Sequence, residues 1–210
     1  MIAVSLRPTL DAFINQAASS ASDDNLYAGN VRVLGSDNVR RTLLRFDLTS
    51  IPTSAVIVSA VLTLHNNTTT TFSGTQTFWA YHSATNWTSG VNWITYDGTN
   101  AWTTAGGDYD VPSGMGPDVY PSDSTDMTSA TDDLVFDDVA QLCREAIGSH
   151  AGILNLFVIG PETLGTAAYF GAYSVDYADA SLRPLLAITY ATPESGISWK
   201  ATTNPADWTS

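Results

Sequence analysis

A segment rich in tryptophan, tyrosine and asparagine offers the clearest chemistry in this chain. Flat aromatic faces can stack on the apolar face of a pyranose, while nearby amides and carboxylates can bind its hydroxyl groups. The aromatic residues are Trp79, Tyr81, Trp87, Trp93, Tyr96, Trp102 and Tyr109. The polar partners are Asn86, Asn92, Asp97 and Asn100. We predict a glycan site whose candidate residues are Trp87, Tyr96, Asn92, Asp97 and Trp102.

The rings of this segment have two competing interpretations, because large aromatic side chains fill protein cores as well as binding sites. Core packing is the alternative for Trp93 and Trp102. We expect Trp87 and Tyr96 to be the exposed rings. Core packing and glycan binding therefore predict opposite exposures for the same kind of side chain.

The same segment is crowded with aspartate, which suits a hard cation such as calcium because calcium takes several oxygen ligands. The candidate metal ligands are Asp97, Asp108 and Asp110. Their spacing matches no EF-hand loop. Calcium is therefore the one cofactor that the sequence suggests, and it rests on the local density of acids alone.

No motif in the chain assigns catalytic roles. The string Gly148-Ser-His-Ala-Gly152 places histidine where a nucleophilic serine would stand. The histidines His65, His82 and His150 lack zinc-ligand spacing, and no Walker lysine or Rossmann glycine triplet is present. A pair of acids for glycoside hydrolysis is always available among 21 acidic residues, so their number is not evidence. We predict that the protein is not an enzyme.

The charge balance excludes two classes of partner. The chain has 21 acidic and eight basic residues, and its formal net charge is -13. A phosphate backbone or an anionic membrane needs a basic footprint, so we expect neither nucleic acid nor membrane as a partner. The first residues, Met1 to Pro8, lack the basic region and apolar core of a signal peptide, and no apolar run approaches membrane-spanning length.

These side chains must be positioned by strands, and the clearest one runs from Arg41 to Leu48. Its even-numbered residues suit a core, whereas the alternate face, with Arg41, Leu43, Arg45 and Asp47, suits mostly ionic pairing. Other strand-like runs are Ile2 to Leu6, Ala12 to Asn15, Val31 to Leu34, Ala55 to His65, Thr75 to His82, Ile153 to Ile159, Ala167 to Ser174 and Leu185 to Tyr190. Nine strands at this spacing predict an all-β sandwich.

Two segments interrupt the strand pattern. Residues Ser83 to Ser129 lose alternation, and their tryptophan content predicts a long structured loop. Residues Asp137 to Ile147 place apolar side chains at helical spacing, with Gly148 as the stop, which predicts one short helix. Cys143 lies on the apolar stripe of that helix, so we expect a buried structural thiol.

Four pieces of the chain, in order, resemble the DNRLRE-domain family between residues 10 and 190. They are Asp11-Ala-Phe-Ile14, Leu43-Leu-Arg-Phe-Asp47, the segment from Asn86-Trp87 through Trp93, Trp102 and Gly106-Gly107-Asp108-Tyr109-Asp110, and Arg183-Pro-Leu-Leu-Ala-Ile-Thr-Tyr190. The resemblance implies a jelly-roll-like, antiparallel β-sandwich classed with carbohydrate-binding modules, and a module without catalytic activity. Such modules occur on secreted enzymes, surface proteins and phage particles.

We therefore expect one sandwich domain over residues 1–190 and a docking tail over 191–210, in which Trp199 and Trp208 are the assembly candidates. The leading hypothesis is a virion-associated structural protein, such as a capsid decoration, head-fibre or tail accessory protein. The alternative is a carbohydrate-binding module for a polysaccharide. We expect cytoplasmic synthesis, a place on a virion or an extracellular surface, and virion or surface proteins as partners, with a homo-oligomer left open.

Overall fold

The computed structural model describes residues 1–22, 25–32, 34–109 and 122–193, leaving aside the side chains of 18–22 and 122. These parts contain twelve strands and one α-helix. The strands are β1 Ile2–Leu6, β2 Leu10–Asn15, β3 Ala18–Ser22, β4 Asn25–Asn30, β5 Val39–Asp47, β6 Val56–Leu64, β7 Gln76–His82, β8 Ser122–Met127, β9 Leu134–Phe136, β10 Ile153–Ile159, β11 Ala168–Tyr173 and β12 Leu185–Ala191. The helix, α1, spans Ala140–Ser149.

The strands form two antiparallel sheets. The small sheet has the order β1-β12-β6-β9. The large sheet has the order β11-β4-β5-β10-β7-β8, and β2 joins it by pairing with β5 and β3. Every described strand pair is antiparallel. The predicted all-β sandwich with one short helix is confirmed.

The inner core is the cluster of buried side chains that both sheets and α1 share. Leu44 and Phe46 of β5 face Leu62 of β6 and Phe136 of β9 across it, and all four are fully buried. Alternate residues of each strand reach this core because successive side chains in a strand point to opposite faces. This cluster is the part of the fold that strand periodicity predicts.

Helix α1 closes the inner core with the apolar face that the sequence predicts. Leu142, Cys143 and Ala146 are buried on that face. Burial raises the pKa of the Cys143 thiol to about 12, so the thiol stays protonated and unreactive at neutral pH. At ten residues, α1 is short, and no helix in the described part of the chain is long and apolar enough to cross a membrane.

Several predicted element bounds differ from the structure. The strand predicted at Val31 to Leu34 instead lies before that run, at Asn25–Asn30, and the Val31 N–H donates to the Asn38 carbonyl. The predicted loop from Ser83 to Ser129 contains β8. The β8 and β9 strands were missed since Ser122–Met127 has little apolar alternation and Leu134–Phe136 has only three residues.

The prediction of a mostly ionic face on β5 is wrong. Leu43 points to that face and is fully buried, and Arg41 and Arg45 are only partly exposed. The large sheet is therefore covered on both sides, by the small sheet on one side and by residues 83–109 on the other. The candidate site residues come together in the layer that residues 83–109 form on the outer side of the large sheet.

Candidate binding site on the outer face of the large sheet

The outer core is a second cluster of buried side chains, on the face of the large sheet that points away from the small sheet. Strand residues and loop residues contribute about equally. The members are Ala12, Ile14, Val39, Leu43, Trp87, Val91, Trp93, Trp102, Phe157 and Ile159. Residues 83–109 thus act as a lid of side chains over β2, β5 and β10, because tryptophan buries a large apolar area without any regular strand.

Two adjacent glycines allow this loop to approach the sheet. Gly106 and Gly107 have φ values of +97° and +111°, a region that other residues avoid. A Cβ on Gly107 would lie 2.3 Å from the ring of Phe157, and one on Gly106 would lie 2.8 Å from the ring of Trp93. Close packing of the loop on the outer core therefore requires glycine at both positions.

The prediction that Trp87 is exposed is wrong. Its ring has no accessible surface, packs 4.9 Å from the guanidinium of Arg45, and so has no face left for a ligand. Trp102 is 5% exposed, and its indole N–H donates to the Asn92 carbonyl at 2.9 Å. Core packing, the competing interpretation, holds for Trp102 and Trp93.

Tyr96 and Asn92 are half-buried and serve the loop's own conformation. The Tyr96 ring makes an edge contact with Trp102 at a centroid distance of 5.7 Å. The Asn92 carbonyl oxygen of the side chain accepts from the backbone N–H groups of Ile94 and Thr95 at 2.8 and 2.9 Å. The structure thus brings the predicted site residues into one loop, but it uses their functional groups to hold that loop.

The two described calcium candidates, Asp97 and Asp108, already accept hydrogen bonds from the loop backbone. The Asp97 carboxylate accepts from the backbone of Thr99 and Asn100, and hydrogen bonds from Asn100 hold the pKa of Asp97 below its ordinary value. The Asp108 carboxylate accepts from Thr103 and Thr104 at 2.8 and 2.9 Å. Asp110 lies outside the described residues. Within the described ranges, no group of three or more His, Cys, Asp or Glu side chains could hold a metal ion.

An ion pair marks the edge of the covered area. Arg41 donates to both carboxylate oxygens of Glu162, at 2.7 and 2.9 Å, and to the Gly106 carbonyl at 2.9 Å. Its guanidinium lies 4.9 Å from the Trp93 ring and 5.3 Å from the Tyr109 ring. Burial lowers the pKa of Arg41, but the hydrogen bonds and charge of Glu162 outweigh burial and raise it. The pair is therefore charged and fixed in place.

The outer face next to this ion pair carries an aromatic row, defined as Trp79, Tyr81 and Tyr109. Trp79 and Tyr81 are alternate residues of β7, and their nearly parallel rings have centroids 5.8 Å apart. Tyr81 and Tyr109 follow with centroids 5.2 Å apart. Trp79 is 38% exposed and the two tyrosines are half-buried. These three rings retain accessible surface, whereas the ring of Trp87 has none.

An open cavity of about 470 Å³ begins at the Tyr109 end of the row. Its lining residues are Arg41, Ala84, Thr85, Thr103, Thr104, Ala105, Gly107, Asp108 and Tyr109. The hydroxyl groups of Thr85, Thr103 and Thr104 form no hydrogen bond with another described residue. The cavity therefore combines an aromatic wall with threonine hydroxyl groups, and sugar binding uses groups of both kinds.

The tyrosines of the row stay protonated at neutral pH. Burial raises the pKa of Tyr81 and that of Tyr109, and the charge of Glu162 acts in the same direction on both. Each phenol O–H can therefore donate a hydrogen bond to a hydroxyl oxygen. The neighbouring charged groups are already engaged, which leaves neutral donors and acceptors at this surface.

Sequence reasoning did not separate the rings with accessible surface from the buried rings. Trp79 and Tyr81 alternate with the buried Phe78 and Ala80, and this period of two was the signal that could have separated exposed rings from buried ones. The Arg41–Glu162 pair had no such signal, because 121 residues separate its members. The assembly candidates Trp199 and Trp208 lie outside the described residues and stay predictions.

The chain matches no model of a known protein family, and no curated protein matches it either. The resemblance to the DNRLRE-domain family thus rests on the four sequence pieces.

Proposed function

We propose that this chain is a non-catalytic binding module that holds a polysaccharide on the outer face of its large sheet. The observation that carries the proposal is the aromatic row of Trp79, Tyr81 and Tyr109, which ends at a cavity whose lining includes three threonines. A sugar ring would sit against Tyr109 in the cavity, and the following units would lie along Tyr81 and Trp79. The predicted DNRLRE-type relationship supports the same function.

The arrangement supports binding and not bond cleavage. A glycosidase needs two carboxyl groups facing each other across the scissile bond. Two described carboxylates lie at or beside the cavity, and both are engaged, since Asp108 accepts from the backbone of Thr103 and Thr104 and Glu162 pairs with Arg41. Neither of these two groups is therefore a free acid or base.

Affinity electrophoresis against a panel of neutral and acidic polysaccharides tests this proposal. Trp79→Ala and Tyr81→Ala should each weaken retention about tenfold, because one aromatic contact contributes about 0.5–1.5 kcal/mol beyond the area it buries. Ile94→Ala is the matched control, since Ile94 is 51% exposed on the lid but is not part of the row. Absence of retention on every polysaccharide, or equal retention by wild type and Trp79→Ala, would overturn the proposal.

A virion-associated structural protein is the second proposed function, and the two are compatible because a decoration protein can display a glycan-binding face. The observation that favours it is the outer side of the small sheet, where Val56, Val58 and Val135 are exposed and the strand residues carry no charge. Such a surface suits contact with other proteins. If the protein decorates a virion, the full chain should sediment together with that virion. A chain ending at residue 193 should stay folded but should no longer do so. Sedimentation with the virion equal to that of the full chain would contradict docking through Trp199 and Trp208.

A further inference from the structure

Most sheet edges with described side chains are protected against pairing with another chain. Natural proteins protect edges with charge, short length or a covering segment. Strand β8 carries Asp123 and Asp126, and β9 has only three residues. Strand β11 is covered, because residues 65–71 form backbone hydrogen bonds along it.

In the described part of the chain, strand β1 has none of these protections. Ile2–Leu6 contains no charged residue and no proline, and it pairs with β12 in continuous register without a bulge. The first charged side chain, that of Arg7, is directed away, since it donates to the backbone carbonyls of Arg183 and Pro184. The other edge of β1 has no strand partner among the described residues. It is therefore an open template for a further strand.

The side-chain pattern of β1 is symmetric about its middle residue. Ile2, Val4 and Leu6 lie on the face toward the inner core, and Val4 and Leu6 pack against that core. Ala3 and Ser5 lie on the opposite face. Opposed residues of an antiparallel pair point to the same face, so this strand can pair with an inverted copy of itself centred on Val4.

We propose that β1 pairs antiparallel with β1 of a second copy of this chain, with Val4 on the two-fold axis. The two small sheets then become one continuous sheet of eight strands. In this register Ile2 lies opposite the partner's Leu6, and Ala3 lies opposite the partner's Ser5. The Ile2 side chain, which is 44% exposed in the single chain, gains an apolar neighbour.

Charge allows a second copy to approach at this edge. A chain with a net charge of -13 repels its own copies, and this repulsion is weakest where neither surface presents acids. Strand β1 and the outward-facing residues of β12 beside it are uncharged. One five-residue ladder buries little area, so the dimer is weak and depends on concentration.

Sedimentation velocity of the full chain over a wide concentration range tests the pairing. Ala3→Lys with Ser5→Lys places lysine opposite lysine twice and should weaken the dimer at least tenfold, even though it makes the net charge less negative. Ala3→Lys with Ser5→Glu places lysine opposite glutamate twice and should keep the dimer at wild-type strength or above it. Both variants change only exposed side chains, and circular dichroism checks that both are folded.

Two outcomes overturn the proposal. One is a wild-type chain that remains a monomer at all concentrations, and the other is an equal weakening by both variants. The test contains no polysaccharide, and β1 belongs to the sheet opposite the aromatic row. A failure of the dimer and a failure of glycan binding are therefore seen in separate measurements. If both hold, the dimer presents two aromatic rows, and avidity increases retention on a polymer.

Discussion

The inner core and the outer core lie on opposite faces of the same strands, but different kinds of backbone structure contribute their side chains. In the inner core, strand faces strand, and side chains such as Leu44 and Leu62 come from regular positions of two sheets. In the outer core, strand faces irregular loop, and Trp87, Trp93 and Trp102 supply most of the covering surface. The two cores share β5 and β10, whose alternate residues enter one or the other.

The difference shows how a loop can cover a sheet without adding strands to it. Many backbone hydrogen bonds between strands stabilise a sheet. The lid instead depends on a few aromatic rings, two glycines and side-chain hydrogen bonds to the backbone such as those of Asp108. Fewer independent contacts imply that the lid can open without unfolding the sandwich. Four substitutions in three experiments test this division, and the experiments follow in order of decreasing effect.

Phe46→Ala should have the largest effect, because Phe46 is fully buried in the inner core between both sheets. We expect a loss of about 3–5 kcal/mol in the free energy of unfolding from the lost burial and the cavity left behind. Urea unfolding followed by far-UV circular dichroism measures it. The loss should appear as one cooperative transition at a lower midpoint. A loss below about 1 kcal/mol would contradict the central place of this core.

Gly107→Ala should have an intermediate and local effect. The new methyl group would collide with the Phe157 ring, and the backbone would stay in a conformation that alanine avoids, at a cost of about 1–3 kcal/mol. Tryptophan fluorescence should shift to longer wavelength as the lid loosens. The control is Gly35→Ala, which has a similar positive φ of +84° but no atom within 4 Å of its new Cβ.

Cys143 reports whether the effect of Gly107→Ala stays local. Its thiol is buried in the inner core and protonated at pH 8, since burial raises its pKa to about 12. A thiol reagent should therefore modify the Gly107→Ala chain as slowly as the wild type. Rapid modification would show that opening the lid also opens the sandwich, and the two cores would then be one cooperative unit.

The smallest expected effect is the difference between two conservative substitutions in the outer core. Trp102→Phe removes an indole N–H that donates to Asn92, whereas Trp87→Phe removes a buried indole N–H that has no partner among the described residues. We expect Trp102→Phe to cost about 1 kcal/mol more than Trp87→Phe, because only the first loses a hydrogen bond. Chemical denaturation of both variants measures the difference, and an equal or reversed order would contradict the hydrogen-bond assignment.

Local pattern was sufficient for the sandwich and its inner core. The alternation in β5 and the strand-like runs at β6 and β10 predicted strands close to their observed bounds, and the helical spacing after Asp137 predicted α1 with its buried Cys143. These predictions succeeded since period two and period 3.6 are properties of neighbouring residues. The all-β class and the single helix follow from the sequence by itself.

Only the tertiary structure decided which rings of residues 83–109 are buried. Trp87 and Trp79 have the same chemistry, but Trp87 belongs to the lid and is buried against the sheet, whereas Trp79 lies on β7 and is exposed. Arg41 and Glu162 form an ion pair although 121 residues separate them in sequence. The outer face of β5 is buried because residues 83–109 pack over it. No local period encodes these contacts, because they depend on distances between segments that are remote in sequence. The sequence determined the sandwich, and its three-dimensional packing selected the surface that can bind a ligand.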